Sequence, residues 1–150
     1  GRHFHHRDVF FIGRGLDYPA TMESSLKLKE ISYIHSEAMA AGELKHGTIA
    51  MIEEGTLVIA VCTQDVLLEK MVSAIREVKA RGAHVLAVTY KDCSAILDQV
   101  DEAICIPRTH GALAGMVSVV AAQLFAYYCS VQRGLDPDKP RNLAKSVTVE

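Results

Sequence analysis

The chain has little net charge: 16 lysines and arginines stand against 18 aspartates and glutamates, leaving a formal −2 at pH 7. That excludes the basic face by which nucleic-acid-binding proteins are recognised. It also lacks any CxxC pair, since Cys62, Cys93, Cys105 and Cys129 lie 31, 12 and 24 residues apart, and no secretory leader is expected with them. The four cysteines are expected to be reduced and mostly buried, in a cytoplasmic protein. Internal repeats and low-complexity stretches are missing too. With 49% apolar and 23% charged residues the balance is that of a globular chain, which excludes intrinsic disorder, a collagen-like repeat and a disulfide-bonded miniprotein. A length of 150 residues fits one domain with a sizeable core.

Formal charge is absent altogether from residues 112–132, a run of 21 residues (ALAGMVSVVAAQLFAYYCSVQ). A helix of that length can cross a bilayer. Gln123 at its centre argues against a span, because an unpaired amide in lipid is costly, and so does the alternation of strand-like and helix-like segments before it. The run is read as a helix buried on most sides, against a sheet and a second subunit.

Short, continuously apolar runs occur at residues 8–13 (DVFFIG), 57–62 (LVIAVC), 84–89 (HVLAVT) and 102–106 (EAICI). Continuity rather than alternation predicts strands covered on both faces, hence a parallel sheet. Between them, residues 20–41 and 66–81 have helical spacing, the second ending at Arg81-Gly82. This rhythm predicts an α/β fold, a three-layer αβα sandwich with a doubly wound, mostly parallel sheet whose ligands gather at the carboxyl ends of the strands. Residues 1–8, short and histidine-rich, read as a linker or an expression remnant; residues 9–135 form the domain; and residues 136–150, opened by Asp136-Pro137-Asp138-Lys139-Pro140, form a tail.

Several residues are candidates for chemistry. Gly13-Arg14-Gly15 follows the first strand, but the dinucleotide fingerprint needs a third glycine where Tyr18 stands. Nicotinamide binding is therefore set aside, while the Arg14 guanidinium suits a planar anion. Glu23, Lys27 and Glu30, spaced four and three apart, fall within a ~60° arc of a helix. Met22, Leu26 and Tyr33 flank that stripe on one side and Leu28 and Ile31 on the other. Such a setting can hold a carboxylate and an ammonium group at the lip of a pocket, tuned for proton transfer; an exposed salt-bridge ladder has the same spacing. His46 lies in the charged knot Ala41-Gly42-Glu43-Leu44-Lys45-His46-Gly47, where an imidazole can act as acid or base. His35 is expected to pack against the core. His3, His5 and His6 have spacing for a surface metal site, yet no cysteine ligand is near and no metal is assigned. In the tail, Lys145 brings an amine able to form a Schiff base with a carbonyl substrate.

Three motifs together carry a resemblance: Lys27 to His35 (KLKEISYIH), Ala41 to Gly47 (AGELKHG) and Pro140 to Glu150 (PRNLAKSVTVE). From about Asp8 onward the chain resembles the glutamine:fructose-6-phosphate amidotransferases, or glucosamine-6-phosphate synthases, and specifically the second of their two sugar isomerase domains, a flavodoxin-like fold. The glutaminase domain and the first sugar isomerase domain are not in this sequence. The resemblance implies conversion of fructose 6-phosphate to glucosamine 6-phosphate with glutamine-derived ammonia, on the route to UDP-N-acetylglucosamine, by a homodimer using no metal or organic cofactor. It implies that Glu30 moves the proton between the first two sugar carbons and Lys27 assists it. It further implies that His46, supplied across the dimer, opens the sugar ring and that Lys145 forms the Schiff base. Arg14, Glu23, Arg141 and Ala144 match supporting, substrate-binding positions. Thr48 departs from the family, where proline is frequent, and the family's phosphate loop belongs to the first isomerase domain, so Thr21, Ser24 and Ser25 are not assigned to phosphate. A different class of function compatible with the same fold is a non-catalytic phosphosugar sensor; the fragment alone is expected to be inactive.

Overall fold

The computed structural model describes His3 and residues 5–143 of the chain. Four strands form where the continuous apolar runs lie: β1 (Asp8–Gly13), β3 (Leu57–Cys62), β4 (His84–Tyr90) and β5 (Glu102–Ile106). All six residues of β3 are buried, and from Val85 to Tyr90 so is every residue of β4. Removing each of these Val, Leu or Ile side chains from water stabilises the fold by roughly 1.5–3 kcal/mol before ordering entropy is counted.

The stretch 20–41 is not one helix. α1 (Asp17–Ser32) ends at Tyr33, whose left-handed backbone (φ 58°) turns the chain while its N–H still donates to the Lys29 carbonyl. The chain then extends as a further strand, β2 (His35–Ala40). Ala, Glu and Met in β2 are good helix formers, and tertiary pairing with β1 overrides that propensity. β2 lies on the sheet edge, so only Ser36 and Met39 are buried in it. His35 consequently does not pack in the core: it is exposed, with Nδ1 2.8 Å from Asp8 Oδ1.

The five strands are parallel in the order β2-β1-β3-β4-β5, with Phe11 opposite Ala38 on one side and Ile59 on the other. The chain steps outward from β1 to β2, then crosses back to β3 and on toward β5. Right-handed crossovers in opposite directions put helices on both faces. α1 packs against α4 (Gly111–Gln132), and α2 (Leu68–Lys79) packs against the short α3 (Ser94–Leu97), completing three layers. α2 stops as expected: Gly82 has φ 88° and donates to Lys79, while the Ala83 N–H reaches back to the Val78 carbonyl.

α4 is long and apolar enough to cross a membrane by length and composition. Here its small residues Ala114, Ser118, Ala121, Ala122 and Ala126 are buried, and Gly115 approaches Leu16 and Ala20 of the α1 side. The large side chains Leu113, Met116, Val120, Leu124 and Tyr128 lie exposed on the other side. Small buried residues let the two helices approach closely. Gly13 does the same for β1 and α1, since a Cβ there would sit 2.9 Å from the Asp17 carbonyl carbon.

Candidate functional site

Reversal of strand order between β1 and β3 opens a crevice at their carboxyl ends, the usual ligand position in such sheets. A polar clamp spans it. Asp17, only 1% exposed at the start of α1, accepts from the Thr63 N–H at 2.8 Å, and from the Thr63 hydroxyl. Gln64 Nε2 lies 3.5 Å from the same carboxylate and donates to the Gly111 carbonyl at 3.2 Å, tying in the first turn of α4. Burial pushes the Asp17 carboxyl above its usual range, opposed by those hydrogen bonds. Burial also pushes the neighbouring Cys62 thiol well up. Neither thiol nor carboxylate here is set up as a nucleophile; the clamp fixes where β1, β3 and α4 meet. Asp17, Thr63 and Gln64 escape sequence reasoning, because 46 residues separate Asp17 from Thr63 and only the fold joins them.

The charged stripe of α1 forms as its spacing predicts. Lys27 Nζ lies 2.7 Å from Glu30 Oε2 and 3.6 Å from Glu23 Oε1. Side-chain exposures of 33% for Lys27 and 26% for Glu30 separate this pair from an open-water ladder. The Glu30 hydrogen bond raises the Lys27 ammonium above its usual value, partly offset by burial, so the lysine stays charged. A charged lysine held on a carboxylate at 2.7 Å is an ion pair rather than a free amine nucleophile.

One turn further on, the tail docks on the same helix. The Arg141 N–H donates to the Tyr33 hydroxyl at 2.7 Å, and the guanidinium carbon stacks 4.1 Å from the Tyr33 ring centroid. The left-handed turn at Tyr33 is thus both the stop of α1 and the seat of the tail. The sequence places Tyr33 only on the apolar flank of the stripe; its position three residues after Glu30 is the signal that points to this role. Lys145 and Ala144 lie outside the described residues.

Arg14 leaves β1 toward the loop after β2, and its guanidinium lies against Gly42, whose absent Cβ would stand 3.2 Å away. Its Nε is buried without a hydrogen-bond partner among the described residues. His46 sits in a short 3₁₀ turn, Leu44–His46, exposed, with Nδ1 2.6 Å from Glu43 Oε2. No hydrogen bond or ion pair among the described residues joins it to Lys27 or Glu30. Thr21, Ser24 and Ser25 are buried, and their hydroxyls are taken by Tyr18, Ala20 and Ser36. Arg108, beyond β5, also faces the carboxyl-end region, but Asp65 and Asp92 hold it at 2.9 and 3.1 Å and it stacks on Tyr90. Asp92 first, then Asp65, raises its pKa further, and Asp92 is lowered in return. The guanidinium is already committed to carboxylates.

A cavity of about 490 Å³ opens elsewhere, between β5 and α4, with walls including Ile104, Val117, Leu124 and Phe125. Its walls are apolar and it contains no carboxylate and ammonium pair, so chemistry rather than size locates the candidate site on α1.

Comparison with known proteins shows what the domain is similar to. The SIS domain model matches residues 4–133. The chain is 61% identical over 148 residues to glutamine:fructose-6-phosphate aminotransferase (isomerizing) of Caldanaerobacter subterraneus subsp. tengcongensis, covering 99% of this chain and 24% of that protein. It is 58% identical over 144 residues to the enzyme of the same name from Clostridium tetani, again 24% of the relative. Its backbone matches the C-terminal domain of glucosamine-fructose-6-phosphate aminotransferase from Francisella tularensis with a TM-score of 0.83 at 36% identity, over 91% of this chain and 38% of that one. The chain spans about a quarter of the length of the relatives it matches. By the family model, which takes in β1 through α4, this chain belongs to the SIS domain family.

Proposed function

We propose that this chain is the carboxyl-terminal isomerase domain of a glutamine:fructose-6-phosphate aminotransferase, contributing to the formation of glucosamine 6-phosphate from fructose 6-phosphate and glutamine-derived ammonia. One observation carries the reading: the half-buried Lys27 and Glu30 pair stands one turn from the tail anchored on Tyr33. The tail's Lys145 follows Arg141 by four residues.

In this reading the Lys145 amine adds to the C2 ketone of the open-chain sugar and water leaves, giving an imine. Glutamine-derived ammonia then adds to C2 and expels the Lys145 amine, leaving the C2 imine of the free sugar. Glu30 takes the proton from C1 and returns it to C2 while the Lys27 ammonium holds the carboxylate in place. His46 opens the sugar ring from a second protomer, consistent with its exposed position away from Glu30. Arg14, Glu23, Arg141 and Ala144 support the bound sugar. The exposed apolar face of α4 supports a homodimer, or packing on the other domains of the parent, in a cytoplasmic enzyme supplying amino sugar for UDP-N-acetylglucosamine.

The decisive test uses the full-length enzyme that carries this domain. Glu30→Gln is expected to abolish production of glucosamine 6-phosphate while glutamine hydrolysis continues; product formation at the wild-type rate would refute the proton-transfer role. Borohydride with fructose 6-phosphate should trap a covalent adduct that Lys145→Ala loses.

A further inference from the structure

A second cluster of donors lies at the amino ends of β4 and β5. His84 opens β4, Glu102 opens β5, and His3, from the segment before β1, lies over both. Glu102 Oε1 is 3.1 Å from His84 Nε2 and 3.4 Å from His3 Nε2, and the three donor atoms all lie within 4.8 Å of one another. We propose that His3, His84 and Glu102 bind one divalent transition-metal ion, Zn²⁺ being the ion their donors suit.

Three observations support this. Zinc takes imidazole nitrogen and carboxylate oxygen at about 2.0–2.2 Å, and tetrahedral angles then set ligand atoms about 3.3 Å apart. The two separations to Glu102, 3.1 and 3.4 Å, bracket that spacing. His3 Nε2 is buried and makes no well-formed hydrogen bond among the described residues, its carboxylate neighbour Glu102 Oε1 standing 3.4 Å away; a metal bond to both would complete its polar contacts. The other ring nitrogen of His3 lies 3.4 Å from His6 Nε2, and the ring leans on Phe125 with centroids 5.9 Å apart. A ligand histidine held from behind by a hydrogen-bond acceptor and an apolar wall is the outer shell that fixes metal geometry. His3 also lines the cavity between β5 and α4. Two imidazoles and one carboxylate favour zinc and its neighbours over calcium or magnesium, which prefer all-oxygen cages. Among the described residues the group supplies three ligand atoms, and water would take the fourth position. Such an ion would staple the segment before β1 to the ends of β4 and β5, at the edge of the sheet away from the sugar chemistry.

Histidines 3, 5 and 6 alone could capture metal as a loose surface run, so the test rests on the two ligands outside that run. Zn²⁺ is titrated into the metal-free 150-residue chain in competition with a chromophoric chelator. The wild-type chain is expected to bind one equivalent. His84→Ala and the near-isosteric Glu102→Gln are expected to weaken binding at least tenfold, whereas His5→Ala leaves it within about twofold. Co²⁺ should give the strong visible absorption of a four-coordinate site in the wild type and lose it in His84→Ala. Thermal unfolding of the metal-free variants checks that the fold persists. Absence of saturable binding by the wild type, or wild-type Zn²⁺ affinity in both the His84 and Glu102 variants, would overturn the assignment.

Discussion

Replacing Asp17 by alanine should loosen the domain at the point where its sheet changes direction. The Thr63 N–H, which donates to Asp17 at 2.8 Å in a buried site, would be left without a partner, at a cost of about 1–3 kcal/mol. The Thr63 hydroxyl can re-aim and Gln64 keeps the Gly111 carbonyl at 3.2 Å, so their loss adds only about 1 kcal/mol. A total of about 2–4 kcal/mol corresponds, for a domain of this size, to a fall in Tm of roughly 9 °C. Chemical denaturation and thermal melts of Asp17→Ala and Asp17→Asn against wild type measure it. The asparagine variant can still accept from the Thr63 N–H and should stay within about 1 kcal/mol of wild type at neutral pH. It also isolates the titration. Because burial raises the Asp17 carboxyl above its usual 3.8, the native state holds a proton that the unfolded chain releases. The group's contribution is therefore full below that value and is lost as pH rises through the native pKa. Wild type should lose stability relative to Asp17→Asn over that window and then level off. An alanine variant within 0.5 kcal/mol of wild type, or pH profiles of wild type and Asp17→Asn that run parallel, would refute the clamp.

Other expectations follow from equally local features. Tyr33→Phe keeps the ring under Arg141 but removes the hydroxyl, so amide exchange at Arg141 should accelerate; Tyr33→Ala should in addition speed proteolysis around residues 136–143, and unchanged exchange in both would show that the tail is not held there. Leu28 is 0% exposed, so Leu28→Ala should cost about 3–5 kcal/mol by denaturant titration, and a loss below 1 kcal/mol would contradict its place in the core. Among the thiols, Cys105 is exposed whereas Cys62, Cys93 and Cys129 are buried, and burial pushes the Cys129 thiol up to about 11. A thiol-specific chromogenic reagent should modify one cysteine rapidly in the native chain and four after denaturation; two or more fast thiols would count against this packing.

The central strands were legible because a strand covered on both faces must be apolar at every position, as residues 57–62 are. β2 was not, because an edge strand leaves half its residues polar and its Ala, Glu and Met resemble a helix continuing from α1. Only the left-handed Tyr33 marks the break, and no composition rule demands it there. In the candidate site, the Lys27 and Glu30 pair was readable from spacing, since three residues on one helix meet whatever else the chain does. The Asp17 clamp and the His3, His84 and Glu102 group join residues far apart in sequence. Topology alone creates such groups, so they stay hidden until the strand order is known.

The anchorage of Arg141 on Tyr33 also has a kinetic meaning. Any group carried a few residues beyond Arg141 is tethered to α1, and its encounter with a molecule resting there becomes intramolecular. Short flexible tethers give effective concentrations in the millimolar range. In the proposed function, a single aromatic ring at the end of a helix would set how often Lys145 meets a sugar resting on α1.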